Sequence, residues 1–197
     1  MTELKPIRSA LISVYHKDGL DELLPMLHEQ GVRLLSTGGT QAYIESLSLP
    51  CQRVENLTSY PSILGGRVKT LHPKVFGGIL ARRDNAEDQA EMMKYAIAPI
   101  DLVVVDLYPF EQTVRDGATE QDIIEKIDIG GISLIRAAAK NFRDVVIIPS
   151  RDDYERLKEI IRSHGAKSTL AERRQLAEKA FAVSSSYDTS IHTWFSK

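Results

Sequence analysis

The chain has 197 residues, 43% of them hydrophobic, and a chain of this length buries roughly 70% of its unfolded surface. One domain with at most a small appendage is therefore expected, needing no disulfide or metal staple, and the composition is far from that of a disordered segment. Lys and Arg total 25 against 27 Asp and Glu, a net charge of −2, so nothing draws the chain as a whole to a nucleic-acid backbone and any basic function is local.

The N-terminal stretch Met1-Thr2-Glu3-Leu4-Lys5-Pro6 has no apolar signal core, and no later apolar run reaches membrane-spanning length. A soluble, cytoplasmic protein with no membrane partner is the expectation. Residues 8–14, ending Ala10-Leu11-Ile12-Ser13-Val14, are apolar almost without alternation and predict a strand covered on both faces. Asp18 caps a predicted helix running to about His28, with Leu20, Leu23, Leu24 and Leu27 on one face. Pro25 inside it signals a kink or an early end, and Gly31 closes the unit.

Val32-Arg33-Leu34-Leu35-Ser36 predicts the second strand, which runs into Ser36-Thr37-Gly38-Gly39-Thr40 with a helix expected from about Gln41. Strand, glycine turn and helix start together point N–H groups at an anion. An ordinary β–α turn uses the same residues, but two adjacent hydroxyls and two glycines favour phosphate. The one cysteine, Cys51, permits no internal disulfide and fits a reducing compartment; it reads as a packed thiol. Residues 52–54 form a weak third strand.

Residues 55–73 lack periodicity, as functional irregular segments do. They end in Gly65-Gly66-Arg67-Val68-Lys69-Thr70-Leu71-His72-Pro73, where a planar cation, a point-charge cation, a hydroxyl and free N–H groups come together. That set suits a phosphate or carboxylate, and a solvated basic turn is the plainer alternative. Residues 75–80 predict a short packed helix, and 85–95 a polar helix capped by Asp84 or Asn85. Residues 100–107 carry a β-branched core and predict the middle strand of a parallel sheet. It ends in Tyr108-Pro109-Phe110, and the carboxyl end of such a strand is where open α/β sheets hold ligands.

Thr119-Glu120-Gln121-Asp122 resembles a capping box opening a helix over 119–127. Asp128-Ile129-Gly130-Gly131 follows, then a helix over 133–140, Ser133-Leu134-Ile135-Arg136-Ala137-Ala138-Ala139-Lys140. Asp128 can serve as an N-cap, and the N–H groups of Ile129, Gly130 and Gly131 as an oxyanion-type pocket. Lys140 suits the negative end of the helix dipole. Residues 145–149 predict the last strand, Asp152 caps a helix to about His164, and a long helix is expected over 168–194. Residues 1–150 read as the core and 151–197 as helices completing it.

Six segments in order carry a resemblance: Ser13-Val14 with Lys17-Asp18-Gly19-Leu20, the 36–40 turn, residues 65–73, Leu107-Tyr108-Pro109-Phe110, residues 127–131 and Ala137-Ala138-Ala139-Lys140-Asn141. Together they resemble the inosine-monophosphate (IMP) cyclohydrolase domain of the bifunctional purine-biosynthesis enzyme. The resemblance implies a methylglyoxal-synthase-like, Rossmann-type fold, a three-layer α/β/α sandwich with a mostly parallel sheet. It implies dehydrative closure of a formylated aminoimidazole carboxamide ribotide to IMP, with no metal and no organic cofactor. It also implies a homodimer in the full enzyme, built largely by a formyltransferase domain that is a covalent neighbour if the natural chain is longer, so that this chain alone is either a monomer or a dimer of smaller interface. Formyl transfer itself is not expected of this chain.

By the same resemblance, Ser13, Lys17, Ser36, Thr37, Gly38, Gly39 and Thr40 hold the phosphate, with Arg67 and Thr70 assisting. Lys69 and Tyr108 form a proton-moving pair at the carboxamide, since a lysine held near other cations can act as a base. Asp128 and Lys140, with the N–H groups of residues 129–131, orient and polarise the formyl group. Two departures from the pattern stand out: Tyr15-His16 stands where a serine–aspartate pair is common, and Asp106 where asparagine is common. A nucleotide-sensing module of the same fold, such as the allosteric domain of carbamoyl-phosphate synthetase, is the alternative. It has no use for Tyr108, Asp128 and Lys140 as a set. Methylglyoxal synthase lacks the Tyr-Pro-Phe and Ala-Ala-Ala-Lys-Asn segments.

Overall fold

The central layer forms because three short segments carry side chains that have no place in water. In the computed structural model, which describes residues 3–196 and so leaves Met1 and Thr2 of the N-terminal stretch outside, the chain begins with β1 (Leu4–Pro6) and β2 (Ser9–Val14). It continues through α1 (Leu20–Glu29), β3 (Arg33–Ser36), α2 (Gly38–Ser46), β4 (Cys51–Arg53) and α3 (Val54–Thr58). A 3-10 turn at Leu64–Gly66 precedes α4 (Pro73–Leu80), α5 (Ala86–Lys94) and β5 (Leu102–Asp106). Then come α6 (Phe110–Arg115), α7 (Glu120–Ile124), α8 (Ile129–Lys140) and β6 (Val146–Ile148). A 3-10 turn at Arg151–Asp153, α9 (Tyr154–His164), β7 (Lys167–Thr169) and α10 (Leu170–Phe195) finish it.

Five strands form one parallel sheet in the order β4-β3-β2-β5-β6. Leu11 of β2 lies between Leu35 of β3 and Val103 of β5, and Val14 lies opposite Asp106. Leu102, Val103, Val104 and Val105 are fully buried, as are Ala10, Leu11 and Ile12. Both faces of these strands are therefore covered, by helices, which gives the layered α/β arrangement of a doubly wound sheet. β1 and β7 make a separate antiparallel ribbon, with Leu4 opposite Thr169. Neither strand of that ribbon was foreshadowed by hydrophobic pattern, and nor was α6.

Several helix starts differ from expectation, each for a local reason. Asp18 does not cap α1; Gly19, with φ 77°, holds that position, and Asp18 faces Arg151 instead, 3.7 Å away. Asp152 does not cap α9. Ser150 accepts the N–H of Asp152 in the preceding 3-10 turn, and the helix proper starts at Tyr154. α2 begins at Gly38 and not near Gln41, so both glycines fall in its first turn. α8 begins at Ile129, four residues before Ser133, because Asp128 accepts the Gly131 N–H and starts the helix through two glycines. α7 is shorter than expected and ends at Ile124. At α10 a complete capping box forms, with Thr169 and Glu172 each bonding the other's backbone.

Candidate active site

In the sheet, β2 is followed by β3 on one side and β5 on the other, so the winding reverses at β2. A crevice opens at the carboxyl ends of strands beside such a point. Here it is a cavity of about 560 Å³, a size suited to a small organic ligand. Its floor comes from the ends of β2 and β5; Thr37, just past β3, and the first turns of α2 and α8 flank it, and residues 65–70 cover it.

At the α2 side, Thr37, Gly39 and Thr40 line the cavity together with Ser13 and Lys17. Thr37 sits at the helix N-cap in extended conformation, yet its hydroxyl makes no cap bond; it donates to Glu55. The first-turn N–H groups of α2 are thus left without a side-chain acceptor, the condition under which a helix start takes an anion. The Thr40 hydroxyl donates to the Val14 carbonyl at 2.9 Å, tying the turn to β2. Lys17 Nζ donates to the carbonyls of Val14 at 2.7 Å and Tyr15 at 2.8 Å, which leaves one N–H of the ammonium free. Burial lowers the Lys17 pKa, Asp106 opposes that, and Lys69 adds to it.

Two of the expected phosphate ligands lie elsewhere. Ser36 is fully buried in β3, and its hydroxyl donates to the Ile12 carbonyl at 2.7 Å, so it joins two strands and does not reach the cavity. Gly38 also stays off the cavity wall, between neighbours that line it; φ there is 56°.

At the α8 side, Asp128, Ile129, Gly130 and Gly131 line the cavity with Lys69, Thr70 and Tyr108. The Gly131 N–H donates to Asp128 Oδ1 at 2.6 Å, so of the three N–H groups expected to face a ligand, this one is already engaged. A Cβ at Gly131 would stand 2.4 Å from Asp128 Oδ2, and one at Gly130 would stand 3.2 Å from Thr70 Oγ1. The two glycines therefore let a carboxylate and a hydroxyl close in on the helix start. Burial raises the Asp128 carboxyl, the N–H groups of Gly131 and Tyr108 and the charge of Lys69 pull it back, and Asp106 pushes it up again. Burial, and then the Asp128 charge, raise the Tyr108 phenol. From α10, the Tyr187 hydroxyl accepts the Asp128 N–H at 2.9 Å and donates to the Lys126 carbonyl at 2.7 Å. Its phenol is pushed up to about 12, chiefly by burial.

The covering segment turns back on itself through Leu64, Gly65 and Gly66, all at positive φ, with Ile63 bridged to Val68. Arg67 reaches across the cavity rim to pair with Glu125. Lys140 is the exception among the expected catalytic residues. It is the last residue of α8, exposed, and absent from the cavity wall. Asp128 caps the other end of this 12-residue helix, roughly 18 Å away at 1.5 Å per residue. Within one chain the structure keeps Lys140 apart from Lys69, Tyr108 and Asp128.

Tyr15, Asp106, Glu125 and Ile127 line the cavity without having been expected there. Tyr15 and Asp106 could have been found from position alone, because both sit at strand carboxyl ends. Nothing in the sequence joins Glu125 to Arg67.

A family model described as MGS-like domain matches residues 19–133, more than half of the chain. The chain belongs to the MGS-like domain family. A second model, AICARFT/IMPCHase bienzyme, matches residues 138–197. Among curated MGS-like relatives, the bifunctional purine biosynthesis protein PurH of Bacteroides thetaiotaomicron is 63% identical over 195 residues, covering 99% of this chain and 38% of that protein. PurH of Rhodospirillum rubrum is 48% identical over 190 residues, 96% of this chain and 36% of that protein. The chain thus spans little more than a third of the length of these relatives. A solved structure, titled as the crystal structure of ForH, has a TM-score of 0.77 at 36% identity and covers 95% of this chain and 97% of that one. The MGS-like match ends at Gly131-Ile132-Ser133, just past the first turn of α8, and takes in most of the cavity wall.

Proposed function

We propose that the chain is an IMP cyclohydrolase, closing the formylated aminoimidazole carboxamide ribotide to IMP with loss of water. One observation carries the reading: a single cavity has an unfilled helix start with a lysine at one end and Lys69, Tyr108 and Asp128 together at the other. The relatives' printed names refer to purine biosynthesis, and the second family model names the IMP cyclohydrolase bienzyme.

The chemistry explains why both ends are needed. A carboxamide nitrogen is a poor nucleophile because its lone pair is delocalised. It must be turned onto the formyl carbon, lose a proton as the N–C bond forms, and the formyl oxygen must leave as water. Orientation alone contributes on the order of 7–11 kcal/mol in the best intramolecular cases. The phosphate, held by the α2 start with Thr37, Gly39, Thr40, Ser13 and Lys17, is a remote handle that supplies it. Arg67 and Thr70 meet the ligand under the covering segment.

Tyr108, its phenol kept protonated by burial, donates a hydrogen bond to the carboxamide, with Lys69 taking the amide proton. Asp128, its carboxyl raised by burial, passes a proton to the formyl oxygen. The proton lost from the formamide nitrogen as the ring C=N bond forms is the second that oxygen needs to depart as water. The free N–H groups of Ile129 and Gly130 stabilise charge on that oxygen before it leaves. A purine ribotide made and used inside the cell fits a cytoplasmic setting.

The test is turnover of the formyl ribotide followed by absorbance, with dihydroxyacetone phosphate as a parallel substrate. IMP formation that falls about a hundredfold or more in Lys69→Ala supports the reading. Nucleotide binding without turnover would mark a sensing module, and methylglyoxal from the triose phosphate would mark the wrong reaction.

A further inference from the structure

The end of β5 carries a carboxylate that the mechanism above leaves unused. Asp106 lines the cavity, and the chain leaving β2 folds over it. The Tyr15 N–H donates to the Asp106 carbonyl at 3.1 Å, extending the strand pairing by one residue. The His16 N–H then donates to Asp106 Oδ2 at 2.9 Å, and His16 Nδ1 lies 2.7 Å from the same oxygen. A carboxylate only accepts, so Nδ1 carries the proton in this contact. Both donors thus converge on Oδ2 and leave Oδ1 as the acceptor Asp106 can offer. The His16 ring does not itself line the cavity, so whatever it does there it does through Asp106. The two sequence departures, at position 16 and position 106, are in direct contact.

The charge of Asp106 reaches both Lys17 and Asp128, so the residue lies between the two parts of the cavity; a phosphate is repelled by a carboxylate, which leaves the heterocycle as the partner for Oδ1. Tyr15 and Tyr108 stand beside it, their ring centroids 5.4 Å apart, and the carboxylate is close enough to Asp128 to raise that group's pKa. An acceptor among aromatic faces selects a ligand that presents an N–H.

We infer that His16 is a positioning residue that fixes Asp106 as a hydrogen-bond acceptor for an N–H of the ligand's base, and that the pair makes the cavity prefer bases with a donor at that point over bases with only an acceptor. This rests on reading the cavity as a purine ribotide site. A charge-assisted hydrogen bond is lost, and a half-buried acceptor left facing a lone pair, when the wrong base binds.

The experiment is calorimetric titration of the chain with inosine monophosphate and adenosine monophosphate, run beside formyl-ribotide turnover. The first nucleotide presents a ring N–H where the second presents a bare nitrogen. Wild type is expected to prefer inosine monophosphate by about tenfold or more. Asp106→Asn, whose amide offers donor and acceptor, should shrink that preference to about threefold or less. His16→Ala should shrink it as well. His16→Asn, with an amide nitrogen where Nδ1 stands, should restore it. A purely structural role for His16 would weaken both nucleotides alike and leave their ratio intact; that result, or an unchanged ratio in Asp106→Asn, overturns the inference while leaving the cyclohydrolase reading in place. A wild-type chain that neither binds inosine monophosphate nor turns over the ribotide overturns both.

Discussion

Tyr154 carries its hydroxyl into the interior, where no group among the described residues bonds it. Burial accordingly raises its phenol well above the ordinary range. Its ring packs under Gly19, whose missing Cβ would lie 3.3 Å from the ring edge. An unbonded buried hydroxyl is a cost that phenylalanine does not carry, so Tyr154→Phe should raise stability by about 1 kcal/mol, read from urea melts. Asp128 has the opposite character: its burial, which raises its carboxyl, has a use. Its folded pKa lies above its unfolded one, so its contribution is fully present below the ordinary carboxylate range and is lost as pH rises through the raised value. Asp128→Asn keeps an N-cap but removes this loss. The variant should therefore gain on wild type in urea melts as pH rises above the ordinary carboxylate range, while its turnover falls about a hundredfold.

At the scale of elements, the start of α8 organises the catalytic end of the cavity. Gly131→Ala would place a methyl 2.4 Å from Asp128 Oδ2, so the carboxylate must leave its cap. We expect about 1 kcal/mol of lost stability and a loss of turnover matching that of Asp128→Ala, measured on the folded variant. The same helix shows what was legible and what was not. β5 could be read directly, because Leu102-Val103-Val104-Val105 is a run that only a sheet covered on both faces accommodates. The start of α8 was legible only in part: Asp128 reads as an N-cap, which it is, but Gly130-Gly131 looks like a stop and places the helix four residues late, at Ser133. The anion turn was legible by type, yet not in its hydroxyl contacts: the Ser36 hydroxyl turns to Ile12, the Thr37 hydroxyl to Glu55 and the Thr40 hydroxyl to Val14, which leaves the helix-start N–H groups to the anion. The β1–β7 ribbon pairs residues some 160 positions apart with no strong pattern in either, so local periodicity says nothing of it.

For the whole molecule, the position of Lys140 is the fact to resolve. Six ordered segments suggested one site, but a continuous helix carries the last of them to the far end of α8. We propose that the chain pairs with a second copy, as the sequence resemblance implies for the full enzyme, and that the exposed Lys140 acts in the partner's cavity. Mixing Lys69→Ala with Lys140→Ala chains, each inactive alone, should then restore part of the turnover, up to about a quarter of the sites by random pairing. No recovery on mixing, in chains shown to associate, would remove Lys140 from the reaction.

The ribbon of β1 and β7 gives the N-terminal stretch a reach out of proportion to its three residues. Leu4 clasps Thr169, the residue that starts α10, and farther along that rod Tyr187 braces Asp128. Trimming the chain back to Ile7, far from any ligand, should loosen this lever and slow ring closure while leaving ribotide affinity largely intact, an effect that kcat and KM measured side by side would separate.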